Sequence, residues 1–584
     1  MSQPQVQMIA RRTAALYAVV ILVGAVIVGR LFQLQVLRHD FYSDLALAEH
    51  EAKFTIPASR GTVYVHDGAN GTVPVVLNEV LPTVYLDPFG IEDEDNDRIA
   101  EALATTLSID KADILNLLDQ NESRYQVVKK QVDQKVITEL RELDLSGVGF
   151  VDESYRVYPQ GNFGAQILGF VNGAGEGQYG IEEFLDQDLS GADGRFEAVT
   201  DVHGIPLATS EQNVIVAPED GSDVTLTIDV NIQQFVEEAL KKGVRSSKGQ
   251  SGSAIVIDPR TGAVLAMANY PSYDPDEFGS QEDFSVFLND VISSPYETGS
   301  GVKVLTMAAA LNEGVVTKNT TFNDTGFVQV EDRRIKNAGG GGGVRTMTDV
   351  ITHSVNTGAV YALEQLGGGE INKNARSTLY DYFHNKYGFG NATGLAQANE
   401  AAGLIYGPNE PEGNNVRYAN MTFGQGMTVT MMQMAAAVSS IVNGGDYYQP
   451  YLVSSVEHSD GSVVASQPNA IRSSIISREA SKAIREMMQT VVSNGGGLVA
   501  QRKGYTIGGK TGTAQVLDEE TGEYSDTREI GSFVGFGGTT TPEYVIMTRV
   551  DEPQIPGYAG TVAAAPIFAD ISNFMIDYYQ LPPK

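Results

Sequence analysis

Three short motifs along the chain contain the residue types that nucleophilic catalysis needs. In chain order they are 300–303 (Ser-Gly-Val-Lys), 354–356 (Ser-Val-Asn) and 510–513 (Lys-Thr-Gly-Thr). Residues three apart on a helix share a face, so the side chains of Ser300 and Lys303 can reach each other. A serine hydroxyl needs a base of this kind to become a nucleophile. The first motif therefore predicts that Ser300 is a nucleophile and Lys303 its base, which is the arrangement of an acyl-transfer enzyme.

The residues after Ser300 predict the helix that would hold both groups. Val302 to Glu313 is rich in leucine, methionine and alanine, which are strong helix formers, and Gly314 ends the run. At the start of this helix, backbone N–H groups and the positive end of the dipole favour an oxyanion and disfavour a charged lysine. Free lysine has a pKa of about 10.4, so Lys303 needs burial or a neighbouring cation to act as a base. Lys510 is the candidate cation.

The third motif lies in a sequence that predicts a strand. Residues 505–507 and 513–516 have strand-forming character on either side of small residues. Glycine inside a strand indicates a close approach to the backbone, and a substrate peptide added along this edge would explain Gly512. Taken singly, the motifs have ordinary alternatives, because Ser300 could be a helix N-cap and Asn356 a turn residue.

A nucleotide-binding interpretation of the same region is disfavoured. Residues 504–511 fit the phosphate-loop pattern, and the apolar run before Asp551 could be taken for a magnesium strand. A phosphate loop must open a helix, whereas residues 512–516 continue as strand-forming sequence and then enter the polar turn 518–522. Arg549 also interrupts the apolar run.

Two other glycine-rich segments are predicted to be structural. Residues 175–180 fit the dinucleotide fingerprint, but no repeated strand–helix–strand pattern surrounds them, so a turn before a helix is expected. The five glycines 339–343 predict a flexible loop.

Composition excludes several classes of function. The formal net charge of −33 predicts no affinity for nucleic acid, and the lack of cysteine excludes disulfides and thiolate metal sites. The seven histidines show no metal-ligand spacing. His353 lies beside Ser354 but has no carboxylate partner in its motif, so a surface or core histidine is expected.

One segment is predicted to cross a membrane. Thr13 to Gly29 is free of charge and apolar, and further apolar residues follow Arg30, which can snorkel. A cleaved signal peptide is the alternative, since Arg11 and Arg12 precede the run, but the run is long and lacks a clear cleavage site. A single-pass anchor is therefore preferred. Its orientation is not decided by charge, because Arg30 and Arg38 balance the two preceding arginines.

The chain is predicted to have three parts. Residues 1–35 form the N-terminal tail and membrane anchor, 36–222 a membrane-proximal domain that mixes short strands with the helices 109–118 and 136–143, and 223–584 the catalytic domain. The last part opens with a hairpin at 254–267 and has further strands at Thr506, Ser532 and Tyr544, with a helical middle between them. This arrangement predicts an α+β fold with one antiparallel sheet packed by helices.

Over nearly its whole length the chain resembles the class B penicillin-binding proteins, which are monofunctional peptidoglycan D,D-transpeptidases. Besides the three motifs, the matching elements are Arg60-Gly61, Leu168-Gly169-Phe170, Gly175 to Glu182, Pro271 to Pro275, Phe423 to Gly426, Asn443 to Gly445 and Ser532 to Phe536. Residues 423–426, the segment Val550-Asp551-Glu552-Pro553 and the lack of a C-terminal extension look more like the cell-division member than the elongation member.

The resemblance implies a reaction and roles for the first two motifs. Ser300 would be acylated by the penultimate D-alanine of one stem peptide, releasing the terminal D-alanine, and an amine of a second stem peptide would then take the acyl group. Lys303 corresponds to the base, Ser354 to the proton relay and Asn356 to the residue that holds the donor peptide. β-Lactams would acylate Ser300 as well.

The resemblance also implies the roles of the third motif, the partners and the location. Lys510 would supply positive potential, and Thr511, Gly512 and Thr513 would bind the substrate, with the two threonines on its terminal carboxylate. Backbone N–H groups of Ser300 and Thr513 would form the oxyanion hole. The anchor would lie in the bacterial cytoplasmic membrane with a cytoplasmic N-terminus and an extracytoplasmic catalytic domain, beside a glycan polymerase of the SEDS family and other division proteins. No metal or cofactor is implied.

Two departures from the family pattern and several alternative functions remain. Gly301-Val302 stands where the family usually has Thr-Phe, which removes a side chain beside the nucleophile, and residues 66–71 replace the usual Asp-Arg-Asn-Gly. The alternatives are an elongation-type transpeptidase, a β-lactamase or β-lactam sensor, and a catalytically silent scaffold of the division machinery. A long membrane-proximal domain is not expected of a secreted hydrolase, and the intact Ser300, Lys303 and Lys510 disfavour the scaffold.

Overall fold

The computed structural model describes residues 3–42, 51–199, 214–517 and 524–584. Its strands, in chain order, are β1 Glu51–Ile56, β2 Val63–His66, β3 Thr72–Leu86, β4 Gln126–Lys129, β5 Val148–Val157, β6 Phe170–Val171, β7 Gly177–Gln178, β8 Gly194–Val199, β9 Val214–Val216, β10 Asp223–Asp229, β11 Ser251–Ile257, β12 Val264–Tyr270, β13 Thr321–Asp324, β14 Phe327–Val330, β15 Arg333–Lys336, β16 Gly343–Thr346, β17 Tyr447–Tyr448, β18 Val453–Glu457, β19 Val463–Ala465, β20 Ala470–Arg472, β21 Thr506–Leu517, β22 Tyr524–Gly538 and β23 Pro542–Asp551. Its α-helices are α1 Gln3–Phe32, α2 Asn96–Leu107, α3 Lys111–Leu118, α4 Gln134–Glu142, α5 Ala165–Leu168, α6 Gly180–Phe184, α7 Asp186–Ser190, α8 Val230–Ser247, α9 Asp290–Ser293, α10 Lys303–Asn312, α11 Met347–Thr352, α12 Asn356–Leu366, α13 Lys373–Tyr380, α14 Asn415–Met421, α15 Met431–Val442, α16 Arg478–Asn494 and α17 Ala565–Tyr578.

The chain divides into two compact units, and the first consists of Met1–Ser59 with Gly191–Gly221. It contains α1 and an antiparallel three-stranded sheet in the order β1-β8-β9. The helical span Gln7–Leu37 contains the apolar segment Thr13 to Gly29 that the sequence predicts to cross a membrane. At 1.5 Å per residue its 31 residues extend about 46 Å, which is enough for a bilayer.

The second unit, Arg60–Ser190 with Ser222–Lys584, is built on an antiparallel five-stranded sheet in the order β12-β11-β23-β22-β21. Both faces of this sheet are covered. On β11, Ala254 and Val256 pack into the core formed with α8 and α17, whereas Ile255 and Ile257 pack into the core that includes α10 and α15. Each large apolar side chain buried in this way contributes about 1.5–3 kcal/mol to stability. The predicted α+β fold with a helix-packed antiparallel sheet is confirmed.

The predicted hairpin at 254–267 and the predicted strands near the C-terminus are also present. β11 pairs with β12 through the turn that follows Asp258, where Gly262 has the positive φ of +83° that this turn requires. Strands β21, β22 and β23 contain Thr506, Ser532 and Tyr544 respectively. β21 is the last strand in the order of this sheet, so the Lys-Thr-Gly motif lies at its edge.

A seven-stranded sheet joins strands from both sides of the predicted boundary at residue 222. Its order is β19-β18-β10-β2-β3-β4, with β5 paired to β3, and β10 runs parallel to β2. β10 begins directly after residue 222 and pairs with β2, which lies before it in the chain. The domain boundary at this residue therefore stays a prediction. Helices α2, α3 and α4 pack on β3, β4 and β5. The predicted helices 109–118 and 136–143 correspond to α3 and α4, which begin after the N-caps Asp110 and Asp133.

The glycine-rich segment 175–180 is a structural turn. It contains β7, which forms a hairpin with β6, and it leads into the short helix α6, as predicted. Glu182 on that helix is fully buried between two arginines, with Arg60 Nη2 at 2.6 Å from its Oε2 and Arg156 Nε at 2.8 Å from its Oε1. The segment 175–180 thus leads into a helix that is held by buried ion pairs, and it needs no nucleotide to explain it.

Candidate active site

Ser300 lies in a 3₁₀ turn, Gly299–Val302, that leads directly into α10. The helix predicted from Val302 onward is therefore present, and Ser300 lies just before its first turn. Gly299 has a φ of +54°, and a Cβ at this position would come within 2.4 Å of the carbonyl oxygen of Thr513. Only glycine fits both conditions, and the result is that Ser300 is held directly beside β21.

Gly512 permits the same approach from the side of the strand. A Cβ at Gly512 would lie 2.6 Å from the carbonyl oxygen of Thr298 and 2.3 Å from Ser532 Oγ. The expectation that something approaches this backbone closely is confirmed, but the approaching chain is the turn that carries the nucleophile. A substrate peptide is therefore not needed to explain the glycine.

The amine of Lys303 lies among the polar atoms of the first two motifs. Lys303 Nζ is 3.0 Å from Ser300 Oγ and 3.1 Å from Ser354 Oγ. It donates to the carbonyl oxygen of Ser354 at 2.7 Å and to Asn356 Oδ1 at 2.6 Å. A neutral amine has two N–H donors and one lone pair. Because the carbonyl and amide oxygens can only accept, they take both donors, and the lone pair is left for a hydroxyl.

The surroundings of Lys303 favour this neutral form. Its side chain is 1% exposed, and burial lowers its pKa well below the ordinary value, with a further lowering from the charge of Lys510. Within the described part of the chain, no carboxylate forms an ion pair with either lysine. From the sequence, we expect burial or a neighbouring cation to lower the pKa of Lys303. Both are present, and burial is the larger.

Ser354 connects the two lysines. It lies in the turn between α11 and α12, and its φ of +59° is uncommon for a residue with a side chain. Such backbone strain costs about 1–3 kcal/mol and persists only where the surrounding structure imposes it. The hydroxyl lies 3.1 Å from Lys303 Nζ and 3.0 Å from Lys510 Nζ. It can therefore pass a proton between the two amines.

Lys510 is buried on β21, with 1% of its surface exposed. Besides Ser354 Oγ, its Nζ contacts the carbonyl oxygen of Thr511 at 3.0 Å and Thr511 Oγ1 at 3.3 Å. Burial lowers the pKa of Lys510 to about 7. Two causes, burial and the charge of Lys510, lower the pKa of Lys303, whereas burial alone lowers that of Lys510, so the surroundings favour the neutral form at Lys303.

The remaining residues of the third motif are also brought to this place. Thr511 and Thr513 are half-buried on β21, and Thr513 Oγ1 accepts a hydrogen bond from the backbone N–H of Gly560 at 3.3 Å. The structure thus brings together all eight residues that the sequence singled out: Ser300, Lys303, Ser354, Asn356, Lys510, Thr511, Gly512 and Thr513. The chemical role of each is a proposal.

The phosphate-loop alternative is excluded by the backbone. Residues 506–517 form one continuous strand, so no helix follows the glycines at 508–509 as a phosphate loop requires. The polar turn expected at 518–522 lies outside the described residues. Arg549 does not interrupt β23, because its guanidinium bonds Asp551 Oδ1 at 2.7 Å and the strand continues through it. His353 is exposed, as expected for a surface histidine.

Sequence reasoning missed two residues that contact Thr357, which directly follows the second motif. Asp324 and Asn337 precede Asn356 by 32 and 19 residues, and neither belongs to a recognisable motif. The available signals were weak: Asp324 is followed by Thr-Gly, a turn pattern, and Asn337 stands before the glycine run.

Comparison with known proteins gives the family. Residues 252–573 match the family described as "Penicillin binding protein transpeptidase domain", and residues 55–226 match the "Penicillin-binding Protein dimerisation domain". The chain belongs to the penicillin-binding protein transpeptidase family. It is therefore an enzyme of the serine acyl-transferase type, and the resemblance seen in the sequence is confirmed.

Relatives match this chain over most of its length. Stage V sporulation protein D of Bacillus subtilis is 30% identical over 97% of this chain and 85% of its own length. The probable peptidoglycan D,D-transpeptidase PenA of Neisseria meningitidis is 28% identical, covering 98% of this chain and 93% of its own. Among solved structures, penicillin-binding protein 3 of Mycobacterium tuberculosis in complex with aztreonam is 25% identical, with a TM-score of 0.69 over 91% of this chain and 98% of that chain.

Proposed function

We propose that this penicillin-binding protein is a peptidoglycan D,D-transpeptidase that cross-links stem peptides through an acyl-enzyme on Ser300. The observation that carries the proposal is the position of Lys303 Nζ, buried and 3.0 Å from Ser300 Oγ, with both of its N–H groups directed to acceptors that cannot donate. This geometry leaves a lone pair for the proton of the nucleophile.

The two half-reactions can be written with their protons balanced. Ser300 Oγ attacks the carbonyl carbon of the penultimate D-alanine, and its proton passes to Lys303. The peptide bond to the terminal D-alanine breaks, and the departing nitrogen receives that proton through Ser354. An amine of a second stem peptide then attacks the ester. Its proton passes to Lys303 and back to Ser300 Oγ, which leaves the cross-linked peptide and the free enzyme.

The third motif is proposed to bind the donor. The charge of Lys510, buried on the edge strand, would attract the terminal carboxylate, and Thr511, Gly512 and Thr513 would hold it along β21. Backbone N–H groups of Ser300 and Thr513 are proposed to stabilise the oxyanion. A β-lactam would enter by the same route, but its leaving nitrogen stays tethered to the acyl group, so the ester would persist.

Labelling with a fluorescent penicillin tests this chemistry. The full-length protein in detergent is incubated with the label, and mass spectrometry of its peptides should place the added mass on the peptide that contains Ser300. Ser300→Ala should abolish the labelling, whereas Ser439→Ala, which removes a buried hydroxyl bonded only to a helix carbonyl, should not. An adduct on another peptide, or none on folded protein, would overturn the proposal.

We further propose that α1 anchors the protein in the cytoplasmic membrane with its N-terminus inside, and that its partner is a membrane-embedded glycan polymerase of the SEDS type. The length and apolar character of the span Gln7–Leu37 support the anchor. Protease added to spheroplasts should digest everything that follows this span. Protection of the catalytic domain would reverse the orientation and separate the enzyme from its substrate.

A role in septal wall synthesis is the last part of the proposal. It is supported by the resemblance of residues 423–426 and 550–553 to the cell-division type. Depletion of the protein should give filamentous cells, and a fluorescent fusion should collect at the division site. Round cells with the fusion spread along the side wall would instead indicate the elongation-type role.

A further inference from the structure

Asn356 is held by a loop that no motif includes. Its Nδ2 donates to the carbonyl oxygen of Lys336 at 2.9 Å, while its Oδ1 accepts from Lys303 Nζ at 2.6 Å. A backbone carbonyl can only accept, so it requires the amide nitrogen on its side and leaves the amide oxygen for the lysine. The orientation of the Asn356 amide is therefore decided by the position of the Lys336 carbonyl.

The next residue, Asn337, fixes that carbonyl to the start of α12. Its Oδ1 accepts from the backbone N–H of Thr357 at 3.0 Å. The first N–H groups of a helix lack partners inside the helix, and Val355, at the N-cap position of α12, has no side-chain oxygen to offer. Asn337 supplies the missing cap from a different segment of the chain.

Asp324 anchors both partners of this bond. A single oxygen, Asp324 Oδ1, accepts from Asn337 Nδ2 and from Thr357 Oγ1, each at 2.8 Å, and from the backbone N–H of Gly326 at 3.0 Å. The side chain of Asp324 is fully buried, and Arg345 Nε lies 3.4 Å from its other oxygen. Burial raises the pKa of Asp324, but the hydrogen bonds that its carboxylate accepts outweigh this effect, so the pKa lies below the ordinary value. We refer to Asp324, Asn337 and Thr357 as the Asp324 clamp.

The clamp also accounts for the glycine loop 339–343. The backbone N–H of Gly342 donates to the carbonyl oxygen of Asp324 at 3.3 Å, and that of Asn337 donates to the carbonyl oxygen of Gly326 at 3.0 Å. A Cβ at Gly341 would lie 2.8 Å from the backbone nitrogen of Gly326. The glycines thus let the loop return close to the clamp, so the base of the loop is fixed.

From this network we infer that Asp324 and Asn337 are positioning residues for acyl transfer, because they hold the Lys336 carbonyl where it directs the oxygen of the Asn356 amide toward Lys303. The inference rests on the proposed function. If the clamp is lost, the amide can turn and present its Nδ2 to Lys303. An N–H donor at that place occupies the lone pair that the nucleophile needs, so the base is blocked although every catalytic group is present.

The turned amide also changes how the acylation rate depends on pH. We call the part of this profile in which the rate rises with pH, as Lys303 loses its proton, the acid limb. Asn356 Oδ1 bonds the ammonium form of Lys303 more strongly than the neutral form, because hydrogen bonds from charged donors are stronger. Losing this acceptor therefore lowers the pKa of Lys303 further and moves the acid limb of acylation to lower pH. Among the described residues, the charged group that acts on the pKa of Lys303 is Lys510 on β21, and the side chain of Lys336 is exposed. Both are unchanged in Thr357→Val, which adds no charge, so the direction of the acid limb is judged on that variant. Asn337→Asp adds a carboxylate that titrates together with Asp324.

The test measures acylation of the full-length protein in detergent by a fluorescent penicillin as a function of pH. Asn337→Asp keeps the acceptor for Thr357 but replaces the donor to Asp324 by a second carboxylate. We expect the plateau rate of Asn337→Asp to fall by about 10- to 100-fold. Combining it with Asp324→Asn restores a donor–acceptor pair between the two positions and should recover part of the rate.

Two further variants separate positioning from loss of folded protein. Glu400→Gln is the matched control, because Glu400 also accepts backbone and threonine hydrogen bonds but touches none of the three motifs. It should leave the rate and the acid limb unchanged. Thr357→Val removes one hydroxyl of the clamp and keeps the backbone bond to Asn337. It adds no charge, it is the milder variant if Asn337→Asp does not fold, and it should move the acid limb to lower pH.

The outcomes distinguish this inference from the proposed function. Folded Asn337→Asp and Thr357→Val proteins that acylate within twofold of the wild type, with the same acid limb, would overturn the role of the clamp. A uniform fall at every pH without movement of the limb would also overturn it, because that is the result of a smaller folded fraction. Failure of the wild type to be labelled on Ser300 would overturn the proposed function itself.

Discussion

Replacing each buried lysine by arginine separates the base from the cation. Arginine keeps its proton at every working pH, since its pKa is above about 12. Lys303→Arg therefore removes the only lone pair that faces Ser300 Oγ among the described residues, while the positive charge stays. Lys510→Arg retains the charge proposed to attract the substrate carboxylate and changes only the shape of the group. The two variants should behave differently although the substitution is the same.

The expected magnitudes follow from the contacts of each amine. A positioned general base contributes about 10²–10⁴-fold to the rate, and Lys303→Arg should lose at least this factor. Lys510→Arg loses the 3.0 Å contact between Nζ and Ser354 Oγ. Hydrogen bonds to charged groups are worth about 1.5–3 kcal/mol, and about 1.4 kcal/mol corresponds to a tenfold change. The acylation rate of Lys510→Arg should therefore fall by about 10- to 100-fold.

The assay is the time course of labelling by a fluorescent penicillin, with circular dichroism to confirm folding. The guanidinium of Lys303→Arg is larger than the amine and could disturb packing. Lys303→Met is the control for this effect, because it removes the base and replaces it by a neutral side chain of similar length. It should be folded and unable to acylate. A Lys303→Arg protein that acylates as fast as the wild type, or that loses less than Lys510→Arg, would show that Lys303 is not the base.

The parts of the site that depend on nearby residues could be predicted from the sequence. The spacing of Ser300 and Lys303 placed both groups on one helical turn, and the strand-forming flanks of Lys510 placed it on β21. The hairpin at 254–267 was equally local, because a turn sequence between two apolar runs specifies it. In each case hydrogen bonds between close neighbours in the chain decide the structure.

The parts that depend on distant residues could not be predicted. Asp324 and Asn337 contact Thr357, directly after the second motif, only because two hairpins fold against α12, and no periodicity indicates this. Arg549 interrupts the apolar run of β23, and the sequence does not show what pairs with it: its guanidinium lies 4.4 Å from the ring of Tyr296 and pairs with Asp551, so its charge is satisfied inside the sheet. Gly512 was explained by a substrate, whereas the approaching backbone belongs to the nucleophile's own turn.

Three further predictions concern stability. Gly299→Ala should destabilise the fold and slow acylation, because the left-handed φ costs a residue with a side chain about 1–2 kcal/mol and the new Cβ would lie 2.4 Å from a backbone oxygen. Gly301→Ala is the control: the nearest atom to its Cβ is at 3.6 Å, so it should raise the free energy of unfolding by about 0.5–1 kcal/mol. Thermal melts in the opposite order would contradict this prediction. Glu182→Gln leaves the buried guanidinium of Arg156 without a carboxylate and that of Arg60 with Asp186 alone, and it should cost about 3–5 kcal/mol, against about 0–1 kcal/mol for Asp577→Asn in an exposed pair. Equal losses in denaturant titrations would refute the distinction. The last prediction uses the pKa of Lys510, which burial lowers to about 7. The unfolded chain keeps this proton up to a pH of about 10.4, so between these values it binds more protons than the folded protein, and the free energy of unfolding must rise with pH. Lys510→Met removes the titrating group, and the difference between the two proteins cancels every other group except Lys303, whose pKa the charge of Lys510 lowers. The variant should be the more stable protein at pH 7, and its lead should shrink toward pH 10 with a slope approaching about 1.4 kcal/mol per pH unit, so a difference that does not change with pH would show that Lys510 is not held in a charge-disfavouring environment.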